Sequence, residues 1–310
     1  MCSSDLKGKK ALVLGNGGAS ASVQSVLRER GADVVVISRS GEFNYDNLNL
    51  NYDAKIIVNT TPVGMYPDNY SCVLDLENFT QCEAVMEIIY NPRRTSLTLQ
   101  AEKLGVRNDT GLYMLAAQAV GSSMRFTGCE IQADVIEKIE KKLSSQMQNI
   151  ILIGMPGCGK STIAAELGRM TGRKVTELDV SIAEKTGYSP EEYIKTFGEK
   201  KFRHSESEVI REAGKTSGII ISTGGGAVTV PENYGPLHQN GVIYWIKRDI
   251  EKLAVKGRPL SEKKGVGLLY EQRKELYESF ADIVIENNGN PQDAARQIAQ
   301  LHADRKAQSE

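Results

Sequence analysis

One short segment constrains the fold of this chain more than any other. Residues 150–161 read Ile-Ile-Leu-Ile-Gly-Met-Pro-Gly-Cys-Gly-Lys-Ser and fit the pattern G-x-x-x-x-G-K-[ST] in full. An apolar run before the glycines predicts a buried parallel strand, and Ile163, Leu167 and Met170 are spaced as on one helix face. A strand, a glycine-rich loop and a helix in this order direct backbone N–H groups at one point, where an anion binds. The segment therefore predicts a parallel α/β fold that binds a nucleoside triphosphate.

The side chains of this loop have predicted roles in binding ATP and Mg²⁺. Lys160 would reach the β- and γ-phosphates, and the Ser161 hydroxyl would be a ligand of Mg²⁺. The remaining nucleotide contacts are predicted for Gly157, Cys158, Gly159 and Thr162. Cys158 is expected to be a small residue that fits the loop, with a reactive thiol as the alternative.

Length, charge and cysteine usage predict a soluble cytoplasmic enzyme of more than one domain. The length of 310 residues suggests about two domains. The formal net charge of −1 provides no global attraction to nucleic acid or to an anionic membrane. No apolar run approaches the roughly 20 residues that span a bilayer. The five cysteines are scattered, which favours reduced thiols over disulfides or zinc.

A second glycine-rich loop near the N-terminus indicates a dinucleotide-binding unit. A strand is predicted over residues 10–14, and residues 15–20 read Gly-Asn-Gly-Gly-Ala-Ser. A helix to about Arg30 and a strand over residues 32–37 complete a βαβ unit. Gly15 would allow the tight turn, although Ser20 stands at the third glycine position. A purely structural turn is the alternative.

The residues after the second strand favour NADP(H) over NAD(H). No Asp or Glu is present there to bind a ribose 2′-hydroxyl. Ser38-Arg39-Ser40 stands in that place, and the guanidinium of Arg39 suits a 2′-phosphate.

Three further motifs make the front half resemble a known family. They are N-T-T-P-x-G-M from Asn59, Y-N-P from Tyr90 and G-x-x-M-L-x-x-Q-A from Gly111. With the glycine-rich loop they resemble the nucleotide-binding half of shikimate dehydrogenase, from about Leu6 to Leu143. The resemblance implies NADP contacts at Gly15, Asn16, Gly17, Gly18, Ala19, Arg39, Ile88 and Gly111. It also implies that Tyr90 and Gln118 face shikimate.

The same resemblance predicts that this half is inactive as a dehydrogenase. In that family a substrate domain precedes the nucleotide-binding domain and supplies a Lys–Asp pair, whereas only a few residues precede the first predicted strand here. Loss of a general acid or base alone lowers a rate by about 10²–10⁴-fold. The front half is therefore expected to be a fragment of a longer bifunctional parent. Its uncovered apolar face would favour self-association or a partner.

A helix and a short linker are predicted to join the two halves. Apolar residues recur at helical spacing over residues 130–143, and residues 144–148 are mostly polar. The predicted domains are residues 1–145 and residues 149–303.

The second half carries candidate acidic and basic residues. Glu177 and Asp179 are predicted on one face of a strand, where a carboxylate can orient a substrate hydroxyl or hold a metal-bound water. A helix N-cap is the alternative for Asp179. Arg258 lies in a segment rich in Lys and Gly, typical of a lid, and would act as an arginine finger. Arg273 lies on a charged helix and, taken alone, would be a solvated surface residue.

Three consecutive glycines follow a further predicted strand. Gly224, Gly225 and Gly226 come directly after an apolar run, which favours a turn that contacts a ligand over a flexible loop. His204, on a predicted helix, is not needed as a base because phosphoryl transfer depends mainly on positioning and charge. Trp245, in an apolar strand, is expected in the core.

As a set, these motifs resemble shikimate kinase from about Asn149 to Leu301. They are G-x-x-x-x-G-K-S, then L-D at Leu178, K-T-G at Lys185, F-R at Phe202, S-T-G-G-G at Ser222, G-R-P-L at Gly257 and R-x-x-L-Y at Arg273. The resemblance implies that Asp179 orients the attacked hydroxyl of shikimate and that Arg203 and Arg273 bind its carboxylate. Gly225 would add a backbone contact, and Arg258 would close on ATP. Glu177 departs from the family, which usually has Asp there.

The sequence thus predicts two α/β domains. The first is Rossmann-like and binds NADP, and the second is a P-loop domain of the nucleoside-monophosphate-kinase-like, three-layer α/β/α type. The predicted reaction is transfer of the γ-phosphoryl group of ATP to the 3-hydroxyl of shikimate, with Mg²⁺. Residue chemistry alone indicates only a kinase for a small carboxylated polyol, so gluconate is an alternative substrate. Regulation of the kinase by an NADP-binding module is a further alternative.

Overall fold

The computed structural model describes residues 6–132, 134–253 and 265–304. They form two compact units, the first ending at Ser144 and the second beginning at Ser145. Each unit has a five-stranded parallel sheet and apolar clusters of its own. Arg258 and the predicted lid around it lie outside the described residues.

The first unit is built on the sheet that follows the N-terminal glycine-rich loop. Its strands are β1 (Lys10–Leu14), β2 (Asp33–Ile37), β3 (Ile56–Asn59), β4 (Ala84–Glu87) and β5 (Arg107–Asp109), and its helices are α1 (Gly18–Glu29), α2 (Ser96–Lys103) and α3 (Leu112–Thr127). The strand order is β2-β1-β3-β4-β5, so the direction of sheet growth reverses between β1 and β3. Open α/β sheets bind ligands beyond the carboxyl ends of the strands at such a reversal.

Helix α4 (Asp134–Met147) crosses the boundary between the units. The prediction that residues 144–148 form a linker is wrong over most of its length, because the helix continues to Met147 and buries Ser144. The segment contains no Gly or Pro to end the helix, and the carbonyl of Met147 accepts a hydrogen bond from the Gly218 amide at 2.8 Å.

The second unit is built on the sheet that follows the phosphate loop. Its strands are β6 (Asn149–Ile153), β7 (Val175–Glu177), β8 (Ile220–Ser222), β9 (Gly241–Lys247) and β10 (Ile283–Glu286). Its helices are α5 (Lys160–Thr171), α6 (Leu178–Thr186), α7 (Pro190–Phe197), α8 (Glu199–Lys215), α9 (Tyr234–His238), α10 (Val266–Phe280) and α11 (Pro291–Asp304). The strand order is β10-β9-β6-β8-β7.

Strand β6 lies at the centre of this sheet and carries the phosphate loop at its end. All of its residues are buried, and Ile151 lies opposite Ile221 of β8 and Ile243 of β9. A central parallel strand is covered on both faces, which explains its unbroken apolar sequence. The two predicted parallel α/β folds are therefore confirmed. Among the described helices, none combines the length and apolar character needed to cross a bilayer.

Candidate active site

The phosphate loop connects β6 to α5 through residues 154–159. Gly154, Gly157 and Gly159 have φ values of +143°, +86° and +99°, which only glycine adopts readily. A Cβ atom at Gly159 would lie 2.6 Å from Nδ2 of Asn287, and one at Gly154 would overlap the carbonyl of Ile246. The loop therefore presents backbone rather than side chains to an incoming anion.

Lys160, the first residue of α5, is almost fully buried at the base of this loop. Its Nζ donates to the carbonyl oxygens of Gly154 at 2.8 Å and Met155 at 3.1 Å. Cys158 is completely buried in the apolar core, and its Sγ lies 3.9 Å from Nζ of Lys160. This environment supports the interpretation of Cys158 as a small packing residue.

Ser161 and Glu177 place two oxygen atoms side by side next to the loop. The Ser161 hydroxyl donates to Oε2 of Glu177 at 3.0 Å. Octahedral Mg²⁺ has ligand oxygens at about 2.0–2.1 Å, which places neighbouring ligands about 3 Å apart. The Ser–Glu pair therefore fits two adjacent positions around Mg²⁺, a cation that prefers such oxygen ligands.

The prediction that Glu177 and Asp179 share one face of a strand is wrong. Strand β7 ends at Glu177, and Asp179 lies in the first turn of α6. Because the N-cap is Glu177 itself, the alternative of Asp179 as N-cap is also wrong. Leu178 begins the helix and is fully buried, which ends the strand early.

One cavity of about 640 Å³ brings the candidate residues of the second unit together. It is bounded by the phosphate loop, α6, the start of α7, α8, the glycine run and α10. Its lining includes the predicted residues Gly157, Gly159, Lys160, Ser161, Thr162, Asp179, Arg203, Gly225 and Arg273. Glu177 also lines the cavity, so it faces the same space as Asp179 from a different element.

Arg203 is held in the cavity by two carboxylates of its own helix. Its guanidinium lies 2.6 Å from Oε2 of Glu206 and 3.2 Å from Oε1 of Glu199. Burial acts to lower the pKa of Arg203, but these carboxylates outweigh it and raise that pKa. Burial also raises the pKa of Glu206, which is fully buried. The sequence analysis missed Glu206, although its spacing three residues after Arg203 predicts a pair on one helix face.

Arg273 is buried, so its interpretation as a solvated surface residue is wrong. Its Nη1 donates to the Gly225 carbonyl at 2.9 Å, and the Tyr277 hydroxyl donates to the same oxygen at 2.5 Å. Burial raises the pKa of Tyr277, which keeps the phenol a neutral donor. Tyr277 stacks on Trp245, with ring centroids 5.7 Å apart. Tyr277 is the last residue of the motif R-x-x-L-Y, but the sequence analysis gave it no role, although its i,i+4 spacing from Arg273 places both on one helix face.

Asn287 and Arg248 extend the site beyond the phosphate loop. The Asn287 side chain donates to the Cys158 carbonyl at 2.7 Å, and its amide donates to the Lys247 carbonyl at 2.7 Å. Arg248 follows β9 and lines the cavity. The sequence analysis assigned no role to either residue, because both act through contacts between segments distant in sequence. His204 is largely exposed, and Trp245 lies in the core as predicted.

The first unit has an open glycine-rich loop at the predicted place. Gly15 has φ +103°, and a Cβ there would lie 3.0 Å from Oγ1 of Thr60. Gly17 and Gly18 face open space, and Asn16, Ala19 and Arg39 are exposed. The Ser20 hydroxyl donates to the Gly15 carbonyl at 2.6 Å. Ser20, which stands at the third glycine position, therefore stabilises the turn.

A separate cavity of about 350 Å³ lies at the carboxyl ends of β3 and β4. Thr60, Ile88 and Tyr90 are among its lining residues, whereas Gln118 is exposed on α3 and is not part of it. Gly111 packs so closely on the carbonyl of Ile88 that a Cβ atom would overlap it.

The fold, the glycine-rich cradle and its lysine together define a P-loop nucleotide-binding protein. The sequence profile of the family described as shikimate kinase matches residues 156–302. A shikimate kinase of Clostridium botulinum (strain Alaska E43 / Type E3) is 34% identical over 158 residues, which cover 49% of this chain and 95% of that protein. The chain belongs to the shikimate kinase family.

Solved structures are similar to each part of the chain. The shikimate kinase from Acinetobacter baumannii in complex with shikimate is 30% identical, with a TM-score of 0.49, over 52% of this chain and 96% of that one. A chorismate mutase/shikimate 5-dehydrogenase fusion protein from Clostridium acetobutylicum is 32% identical, with a TM-score of 0.43, over 45% of this chain and 54% of that one. The second similarity concerns the N-terminal part, which spans about half of that fusion protein.

Proposed function

We propose that this chain transfers the γ-phosphoryl group of ATP to the 3-hydroxyl of shikimate, with Mg²⁺ as the metal. The observation that carries the proposal is the single cavity in which the phosphate loop faces Asp179, Arg203 and Arg273. The phosphate cradle, the carboxylate of Asp179 and the guanidinium groups of Arg203 and Arg273 match a substrate with hydroxyls and a carboxylate. The family to which the chain belongs supports shikimate as that substrate.

Each residue has a defined part in this reaction. Lys160 and the loop amides bind the β- and γ-phosphates, and Ser161 and Glu177 hold Mg²⁺, which neutralises the developing charge. Asp179 orients the hydroxyl that attacks the γ-phosphorus. An O–P bond forms to the substrate, the bond from the γ-phosphorus to the β-phosphate oxygen breaks to release ADP, and the carboxylate of Asp179 accepts the hydroxyl proton. Arg203 and Arg273 bind the carboxylate, Gly225 adds a backbone contact, and Arg258 is proposed to close on ATP.

The experiment that tests this function is ADP release from Mg·ATP with shikimate, quinate or gluconate as acceptor. We expect turnover on shikimate and a loss of about 10²-fold or more in kcat for Asp179→Asn, because the hydroxyl is no longer oriented. The exposed Asp293→Asn on α11 is the matched control. Faster turnover on gluconate would contradict the substrate assignment, and full activity of Asp179→Asn would contradict the role of Asp179.

For the first unit we infer an NADP(H)-binding module. The open loop at Gly17 and Gly18 and the exposed guanidinium of Arg39 support it. Titration with NADP(H) tests binding, and the kinase rate measured in the same titration tests regulation. NAD(H) binding as tightly as NADP(H) would contradict the role of Arg39. Self-association through this unit remains a prediction, and light scattering of the chain in solution tests it.

We also infer that the chain works in a reducing compartment such as the cytoplasm. Cys72, Cys82, Cys129 and Cys158 are all free thiols in the described chain.

A further inference from the structure

Arg248 is a cationic side chain at the phosphate loop, and one of its buried donors has no partner within residues 6–132, 134–253 and 265–304. It lines the cavity of about 640 Å³, and its Nη1 lies 3.9 Å from the position that a Cβ atom at Gly159 would take. Its Nε is buried and makes no hydrogen bond to any residue that the structure describes. A buried N–H without a partner is costly and uncommon in folded proteins, so an acceptor on a bound ligand would stabilise this guanidinium.

The other cations of the described cavity lining are already engaged within the protein. Lys160 donates to two loop carbonyls. Arg203 is paired with two glutamates. Arg273 donates to the carbonyl of Gly225. The buried Nε of Arg203 also lacks a partner, but Arg248 differs from all three because its guanidinium forms no ion pair or hydrogen bond with the described carboxylates and carbonyls.

The backbone on both sides of Arg248 is fixed to the loop after β10. The carbonyl of Lys247 accepts from the Asn287 amide at 2.7 Å. The Asp249 amide donates to Oδ1 of Asn288 at 2.8 Å, and Nδ2 of Asn288 donates to Oδ1 of Asp249 at 2.9 Å. Since Asn287 also binds the phosphate loop, Arg248 is held in place relative to Gly159 before any ligand binds.

We propose that Arg248 is a nucleotide-binding residue that donates to the α- or β-phosphate oxygens of ATP and ADP. The loop amides near Gly159 cradle these phosphates, so the ligand oxygens come within reach of the neighbouring guanidinium. A guanidinium matches phosphate geometry with several donors at once. The inference rests on the proposed function only in assuming that the cavity binds a nucleotide.

The test is calorimetric titration of the full chain with Mg·ADP, without shikimate. For Arg248→Gln we expect an affinity about 10- to 100-fold weaker, the effect of losing charge-assisted hydrogen bonds. Arg248→Lys keeps the positive charge but loses the planar set of guanidinium donors. Its affinity for Mg·ADP is therefore expected to lie between those of Arg248→Gln and the wild type. Arg169→Gln is the matched control, because Arg169 is an exposed arginine that pairs with Glu166, and its loss should leave the affinity unchanged.

Two further probes separate phosphate binding from stacking on the base. Inorganic tripolyphosphate should lose affinity for Arg248→Gln in parallel with Mg·ADP, whereas adenosine should bind both proteins equally. Weaker adenosine binding with unchanged tripolyphosphate binding would overturn the proposal in favour of stacking.

The remaining outcomes distinguish this inference from the proposed function. Unchanged Mg·ADP affinity in a folded Arg248→Gln would overturn the role of Arg248 while kinase activity of the wild type stands. Failure of the wild type to bind Mg·ADP would overturn both. Far-ultraviolet circular dichroism of both Arg248 variants establishes that each is folded.

Discussion

Arg203 and Arg273 enter one cavity from different helices and have different acceptors. Arg203 is paired with the carboxylates of Glu206 and Glu199, whereas Arg273 donates to a neutral carbonyl. Paired charges cancel much of each other's field, so of these two arginines Arg273 offers the larger positive potential to an anionic substrate. Glu206 is accordingly a positioning residue, which fixes the direction of the Arg203 guanidinium.

Replacing Glu177 tests the oxygen pair beside the phosphate loop. We expect Glu177→Gln to raise the Mg²⁺ concentration needed for half-maximal binding of ADP, by roughly 10-fold, because a neutral amide is a weaker ligand for a hard cation than a carboxylate. The measurement is ADP titration at a series of Mg²⁺ concentrations. Exposed Glu184→Gln on α6 is the control. An unchanged Mg²⁺ requirement would show that Glu177 does not bind the metal.

For single residues, the sequence predicted the positions that depend on a local motif and missed those that depend on contacts with distant segments. Lys160 and Ser161 follow from one contiguous motif, so their positions were predictable. The burial of Arg273 was not, because its acceptor Gly225 lies 48 residues away in sequence. Arg248 and Asn287 belong to no motif, and only the meeting of β9, β10 and the phosphate loop gives them a role.

Among the elements, the end of β10 has a particular connection to the phosphate loop. Asn287 follows β10 directly, and its side chain reaches the carbonyl of Cys158. Strand β10 pairs with β9 at the sheet edge, so this bond joins the edge of the sheet to the central loop. The loop conformation therefore depends on a strand that is remote from it in sequence.

Asn287→Ala is expected to lower the free energy of unfolding of the second unit by about 1–3 kcal/mol, because the buried Cys158 carbonyl loses its side-chain donor. It should also weaken ADP binding, since the loop is less well fixed. Urea denaturation and ADP titration measure the two effects. Gln297→Ala, at an exposed position of α11, should change neither. A stable variant with normal affinity would remove the structural role assigned to this bond.

Element types were predicted better than element ends. The strands that precede both glycine-rich loops were clear from unbroken apolar runs, because central parallel strands are buried on both faces. The start of α6 and the end of α4 were misplaced. Leu178 and Ser144 both lie in helices and are buried, and the local sequence does not reveal that burial.

At the scale of the whole chain, the first unit buries a carboxyl group that makes its stability depend on pH. In the first unit, Glu87 accepts hydrogen bonds from Asn59 and Thr95. Burial raises the pKa of Glu87 from 4.5 to about 7, although both hydrogen bonds act in the opposite direction. A carboxyl with a raised pKa favours the folded state while it is protonated.

The stability of the first unit should therefore fall as pH rises. The contribution of Glu87 is complete below pH 4.5 and is lost as the pH approaches about 7. The change amounts to roughly 3 kcal/mol. Thermal unfolding of the chain between pH 5 and pH 8 measures it. In Glu87→Gln, which does not titrate, the pH dependence assigned to this unit should disappear even if the overall stability is lower. A slope identical to that of the wild type would contradict the assignment.

The stacking of Trp245 on Tyr277 gives the molecule an optical property of its own. Trp245 is the only tryptophan of the chain, so all indole emission comes from one place in the second unit. Its ring lies on that of Tyr277, whose hydroxyl binds the carbonyl of Gly225 in the cavity wall. A ligand that moves this glycine should change the intensity of the emission. Unfolding of the first unit, which contains no tryptophan, should leave the intensity of the Trp245 emission unchanged.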